Sequence, residues 1–214
     1  MFRRLHRGTR PSLPEARDGA AVEIVPMRRR HVRYVVAIEE RIFPRPWSPA
    51  LYMSELASPA NRAYLVALVD GAVVGYTGSM LVAGEGHVTT IGVAPEWQRR
   101  GVGIQLLYRL VCELRHRGAK ALTLEVRMSN TGAQILYRRF GFMPAGVRKN
   151  YYPEVNEDGL VMWAYDVDTP SYHERLAEIS RQIGLFHPGA GDGRDVGRDV
   201  AGGGAQGASS GGGR

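Results

Sequence analysis

Between about residues 22 and 168 the spacing of hydrophobic positions switches repeatedly between a helical and a strand-like period. Val22–Val25 is a short apolar run and predicts a strand. After Pro26, the span Arg28–Arg41 predicts a helix, with Val32, Val35, Val36, Ile38 and Ile42 near helical spacing. Phe43-Pro44-Arg45-Pro46-Trp47 breaks that pattern. Ser48-Pro49 then reads as an N-cap followed by a proline in the first helical position, opening a short helix that runs to Leu56. Ala63–Val69 and Ala72–Val82 are β-rich runs around Asp70-Gly71, a strong hairpin signal. His87–Val93 predicts another strand. Gly101–Arg117 predicts a helix, because Ile104, Leu107, Leu110, Val111 and Leu114 form one apolar stripe and Gly118 stands where a terminating glycine belongs. Ala121–Arg127 predicts a strand and Thr131–Phe140 a helix closed by Gly141. Phe142–Val147 and Leu160–Val167 predict two further strands. This order implies an α/β (α+β) fold, a mixed sheet flanked by helices.

The ends depart from this pattern. Residues 1–20 are polar, rich in Arg and Pro, and carry a charge of +3 without periodicity. Residues 184–214 hold twelve of the 27 glycines and almost nothing that could form a core. Both segments are expected to be disordered. The folded domain is therefore expected over 22–168, with a short helix over 169–183.

Composition narrows the setting. Apolar residues make up 44% and charged residues 23%, ordinary values for a globular protein. No apolar stretch is long enough to cross a bilayer, and the basic residues 1–10 lack the apolar core of a secretory signal. Cys112 is the single cysteine, so an internal disulfide is excluded and a cytoplasmic setting fits best. The net charge of +7 suits a polyanionic partner such as RNA, a ribosome surface or a phosphorylated cofactor. A general richness in arginine explains it equally well, and no aromatic-basic RNA motif accompanies the basic arm.

The sharpest local signal is Gln98-Arg99-Arg100-Gly101-Val102-Gly103, between the strand ending at Val93 and the following helix. A helix N-terminus leaves about four backbone N–H groups without partners and carries about half a unit of positive charge. Gly101 and Gly103 remove the side chains that would block close approach, so the turn suits a pyrophosphate. It is not a Walker A loop, since no Gly-Lys-Ser/Thr is present. Nor is it a dinucleotide fingerprint, since Gln105 and Leu106 follow where a third glycine would stand. A second cluster lies in Leu124-Glu125-Val126-Arg127-Met128-Ser129-Asn130, which runs from a strand into the helix carrying Tyr137. Alternation places Leu122, Leu124 and Val126 on one face and Thr123, Glu125 and Arg127 on the other. Asn130 falls at the helix N-cap, and Ala133 and Tyr137 share one helical face. A carboxylate can take a proton and a phenol can give one, the two jobs of general acid–base chemistry. Cys112, between Val111 and Glu113 within a helix, reads as structural.

Ile91-Gly92-Val93 followed by Gln98–Gly103 resembles the acetyl-coenzyme A motif of the GNAT (Gcn5-related) N-acetyltransferases. The resemblance spans roughly residues 22–168 and implies the GNAT fold, a mixed and mostly antiparallel central sheet of six to seven strands flanked by about four helices. It implies acetyl-CoA as co-substrate and no metal. Ile91, Gly92 and Val93 would pair with the pantetheine arm, and Arg99, Arg100, Gly101, Val102, Gly103 and Ile104 would hold the phosphates. Leu-Glu-Val-Arg-x-Ser-Asn followed by Leu-Tyr-x-x-x-Gly-Phe resembles the bacterial ribosomal-protein alanine N-acetyltransferases and their archaeal relatives. That resemblance implies Glu125 as base, Tyr137 as acid and a cofactor contact from Asn130. Arg148-Lys149-Asn150-Tyr151-Tyr152-Pro153, Glu157–Met162 and Phe43–Ser48 match stretches of the same subfamily, the last with an Arg-Pro insertion before Trp47. Trp47, Tyr151 and Tyr152 would flank the substrate. The expected activity is acetylation of a protein N-terminus, alanine on a small ribosomal-subunit protein being the family-based choice. A small-amine acetyltransferase and a non-catalytic acetyl-CoA-binding module are the alternatives.

Overall fold

The computed structural model describes residues 20–184. The disorder expected at the two ends therefore lies outside the described residues. The elements run β1 (Glu23–Pro26), α1 (Val32–Ile42), α2 (Pro49–Leu56), β2 (Arg62–Val69), β3 (Ala72–Val82), β4 (Glu85–Val93), α3 (Val102–His116), β5 (Ala121–Arg127), α4 (Thr131–Arg139), β6 (Met143–Tyr152), β7 (Glu157–Ala164) and α5 (Pro170–Gln182). The strands form one seven-stranded sheet in the order β1-β2-β3-β4-β5-β7-β6, antiparallel except where β4 meets β5.

Local chemistry explains most boundaries. Asp70 and Gly71 both take positive φ, the requirement of a tight turn whose twist matches its strands. The Ser48 side chain accepts from the Leu51 N–H, and Pro49 fills the first helical position. Asn130 caps α4 by accepting from the Ala133 N–H at 3.1 Å. The helix expected over Arg28–Arg41 is divided: Arg29–His31 form a 3-10 turn with His31 buried, and α1 starts only at Val32. The last two strands also shift from expectation. β6 begins after Phe142, whose fully buried ring joins the core, and β7 starts at Glu157 and stops at Ala164.

Two buried clusters sandwich the sheet. One joins Leu107, Leu110 and Leu114 of α3 to Leu122 and Leu124 of β5, with Tyr172, Leu176 and Ile179 of α5 on its far side. The other joins Val35 and Ile38 of α1 and Tyr52 of α2 to Val66, Val74 and Tyr76 of β2 and β3. The position of β5 decides the site. It pairs with β4 only from Ala121 to Thr123, opposite Glu85 to His87, after which the two strands part. β7 then occupies the other edge of β5, from Leu122 to Arg127.

Candidate active site

A cavity of about 740 Å³ opens where β4 and β5 diverge. Glu125, Asn130, Tyr137, Ile91, Trp47, Tyr151 and Tyr152 all line it, so the fold brings together residues spread over about half the chain. The Phe43–Ser48 loop forms one wall and the segment Tyr151–Glu154 another.

Glu125 lies at the parting of the strands with its side chain only 5% exposed. His87 Nε2 is 2.8 Å from one carboxylate oxygen and Arg148 Nε is 3.1 Å from the other. The bond to His87, reinforced by the Arg148 charge, outweighs burial and holds the carboxyl below the usual carboxylate range. Tyr137 is buried against Phe142, with ring centroids 5.9 Å apart. Burial, aided by the neighbouring Tyr152, raises its phenol, which keeps it protonated through the neutral range. Burial also raises the hydroxyl of Tyr152, to about 12.

Tyr151 and Tyr152 stand at a right angle with centroids 5.1 Å apart, where β6 slips in register against β7. Asp158 holds that slip by accepting from the Asn150 N–H and from Lys149 Nζ, each at 2.8 Å. Gly159 leaves room for Tyr151, since a Cβ there would sit 3.0 Å from the tyrosine side chain. Trp47 packs on Tyr52 at 5.4 Å, and its backbone N–H donates to Glu39.

Glu39 is a feature the sequence analysis passed over. It is 1% exposed and also accepts from the hydroxyls of Tyr52 and Tyr76, the latter at 2.8 Å. The signal was present: Glu39 stands four residues after Val35 and seven after Val32, a carboxylate on the apolar stripe of α1. His87 was likewise seen only as the first residue of a strand. Its partnership with Glu125 depends on the β4–β5 register.

The phosphate cradle lies outside this cavity, at the N-terminus of α3. Gly101 caps the helix with φ of 79°, a backbone region that favours glycine. A Cβ at Gly103 would meet no atom closer than 3.7 Å, so internal packing does not demand glycine there. Backbone N–H donors at the start of α3, with no side chain on Gly101 or Gly103 beside them, fit a bound diphosphate. Val102 and Ile104 are buried in the core, so only their backbone is available to a ligand. Gly92 has a different reason: a Cβ there would meet the Tyr76 ring at 2.6 Å and Ile42 at 2.7 Å. A register shift against β3 leaves Thr89 as an extra residue in β4. Beyond His87, β4 has no strand paired on its β5 side among the described residues, which leaves the edge around Ile91 open to an extended ligand arm, while the Val93 carbonyl accepts from the Gln98 side chain at 3.1 Å.

The acetyltransferase (GNAT) family model matches residues 32–142. The chain belongs to the GNAT acetyltransferase family. It is an acetyl-CoA-dependent N-acetyltransferase, and the donors and open strand edge just described fit that cofactor. A ribosomal protein bS18-alanine N-acetyltransferase of Salmonella typhimurium is 37% identical over 127 residues, 58% of this chain and 84% of the relative. An N-alpha-acetyltransferase RimI of Mycobacterium tuberculosis is 36% identical over 151 residues, 68% of this chain and 93% of the relative. Among solved structures, the ribosomal-protein-S18-alanine N-acetyltransferase of Escherichia coli superposes with a TM-score of 0.64 at 31% identity, covering 68% of this chain and 94% of that one. Within the described residues no helix is long and apolar enough to cross a membrane.

Proposed function

We propose that this GNAT enzyme acetylates the α-amine of a protein N-terminus, with N-terminal alanine of a small-subunit ribosomal protein as the preferred substrate. The observation that carries this reading is the walled cavity. Trp47 and its loop stand on one side, Tyr151 and Tyr152 on the other, and Glu125 and Tyr137 line the space between. A chain end can enter such a space. A lysine in mid-chain would bring backbone on both sides into the walls.

The amine chemistry favours the same choice. An α-amine has a pKa of about 7.7–8.0 and a lysine about 10.4, so at neutral pH about a tenth of α-amines but well under a thousandth of lysines are already neutral. Glu125 anchors the proton-accepting end of the cavity and Tyr137 the proton-donating end, where the thiolate of coenzyme A would leave. A backbone N–H of the Ile91–Val93 strand would receive the developing oxyanion. Arg99, Arg100 and the amides of Gly101–Ile104 would hold the diphosphate, and Asn130 would touch the cofactor from the α4 N-terminus.

The test is mass spectrometry of a peptide that begins with alanine and contains an internal lysine, after incubation with enzyme and acetyl-CoA. Acetate is expected on the N-terminus. Acetate mainly on the lysine, or on neither amine while a small polyamine is modified, would overturn the reading.

A further inference from the structure

Arg28, Arg29, Arg30 and Arg33 fall within six residues, and no acidic residue stands between Glu23 and Glu39. All four are exposed, and none forms an ion pair with a described residue. Arg41, Arg62, Arg117, Arg148 and Arg181, by contrast, each pair with a glutamate. The placement is electrostatically adverse. The four arginines flank the N-terminus of α1, where unpaired amides already carry about half a unit of positive charge and favour acidic neighbours. The first turn of α1 holds none, and Glu39 is turned into the core. His31 registers the same field: burial, and then Arg30 and Arg28 beside it, push its imidazole below the usual range. A general preference for arginine explains which cation this chain uses, not why four stand together uncompensated. The backbone beneath them is fixed. Met27, His31 and Val32 are buried, the Met27 N–H donates to the Tyr64 carbonyl at 2.8 Å, and the Arg28 N–H donates to His31 Nδ1 at 3.1 Å. Arg33 lies over the ring of half-buried Tyr34, 4.6 Å from its centroid, so the ring supports the guanidinium from below.

We propose that this patch binds RNA, with Arg28, Arg29 and Arg30 on the phosphates of a single-stranded loop and the Arg33–Tyr34 pair beneath one of its unstacked bases. Guanidinium forks match phosphate oxygens, and the bases of RNA loops stack on arginine or aromatic planes. A lipid surface fits less well. The exposed large hydrophobic residues, among them Leu51, Val82, Ile135 and Tyr165, all lie on other parts of the described chain, so nothing beside the arginines would enter a bilayer. Duplex DNA also fits less well. α1 packs Val35 and Ile38 against the sheet and carries its cluster at one end, so no basic helix face is offered to a major groove. None of the patch residues lines the acetyl-transfer cavity. α1, 11 residues and so about 16 Å long, separates them from the Phe43–Ser48 loop. RNA held there leaves the cavity free, and the proposal stands whichever amine is acetylated.

The experiment is fluorescence anisotropy of a labelled RNA hairpin with a single-stranded loop, titrated with the full chain at several salt concentrations. The parent is expected to bind with an affinity that falls steeply as salt rises. Arg28→Gln, Arg29→Gln and Arg30→Gln should each weaken binding and reduce the salt slope by about 1. Arg33→Lys keeps the charge and loses the plane. It should keep the slope and lose affinity by about fivefold or more, the worth of one stacked base. Thermal unfolding at the parental Tm reports that each variant is folded. No binding of the hairpin by the parent overturns the proposal, whether or not the chain then binds vesicles of anionic lipid. Parental affinity in the combined Arg28→Gln, Arg29→Gln and Arg30→Gln variant, or in Arg33→Lys, overturns it as well. So does duplex DNA bound as tightly as the hairpin.

Discussion

Glu39→Gln isolates the buried carboxylate that ties the entrance loop to the core. In the parent, one carboxylate oxygen accepts from the hydroxyls of Tyr52 and Tyr76 and the other from the Trp47 N–H, with the side chain 1% exposed. The amide preserves shape and volume. Its oxygen can keep both tyrosines, but its NH₂ group must then face the Trp47 N–H, donor against donor. One bond to a charged acceptor is lost, worth about 1.5–3 kcal/mol, and the part-buried Trp47 N–H is left facing another donor. A destabilisation of about 2 kcal/mol corresponds to a fall in Tm of about 4–8 °C for a chain of this size. The loss is concentrated at Trp47, so the Phe43–Ser48 wall should loosen before the sheet does. Thermal unfolding followed by circular dichroism measures the first effect. Steady-state kinetics measures the second, as a rise in peptide KM larger than the fall in kcat. A variant with the parental Tm and parental peptide KM would refute the idea that Glu39 holds this loop.

Two other outcomes are expected. Gly103→Val should keep its fold, because the added Cβ would make only ordinary contacts with Leu136 and Val93 at 3.7 and 3.8 Å, yet lose acetyl-CoA affinity, because bulk at this position crowds the backbone donors that open α3; calorimetry showing parental affinity would remove the cradle from α3. Stability should also fall at high pH. Burial raises the hydroxyls of Tyr52, Tyr64, Tyr76, Tyr137 and Tyr172, so above about pH 10 the unfolded chain releases protons that the folded chain keeps, and each such group removes about 1.4 kcal/mol per pH unit between its unfolded and folded values. Denaturant unfolding at pH 8 and at about pH 11 checks this; equal stability at both would contradict it.

Much of this protein was legible before any tertiary contact was known, wherever the information was local. The Asp70-Gly71 turn, the Ser48-Pro49 helix start, the Asn130 cap and the apolar stripe of α3 each rest on chemistry within a few residues. The Gln98–Gly103 turn is equally local, and with it the family and the cofactor. Alternation along β5 also showed correctly that Glu125 faces away from Leu124 and Val126. A period of two names a face but not a neighbour. Only the sheet decided that β7 lies between β5 and β6, that β4 and β5 part after His87, and hence that His87 and Arg148 meet on one carboxylate. The same holds for Glu39, whose partners come from α2, β3 and the entrance loop. A buried carboxylate persists only where its donors converge, and that convergence follows from the long-range order of the strands, which no short window of residues contains.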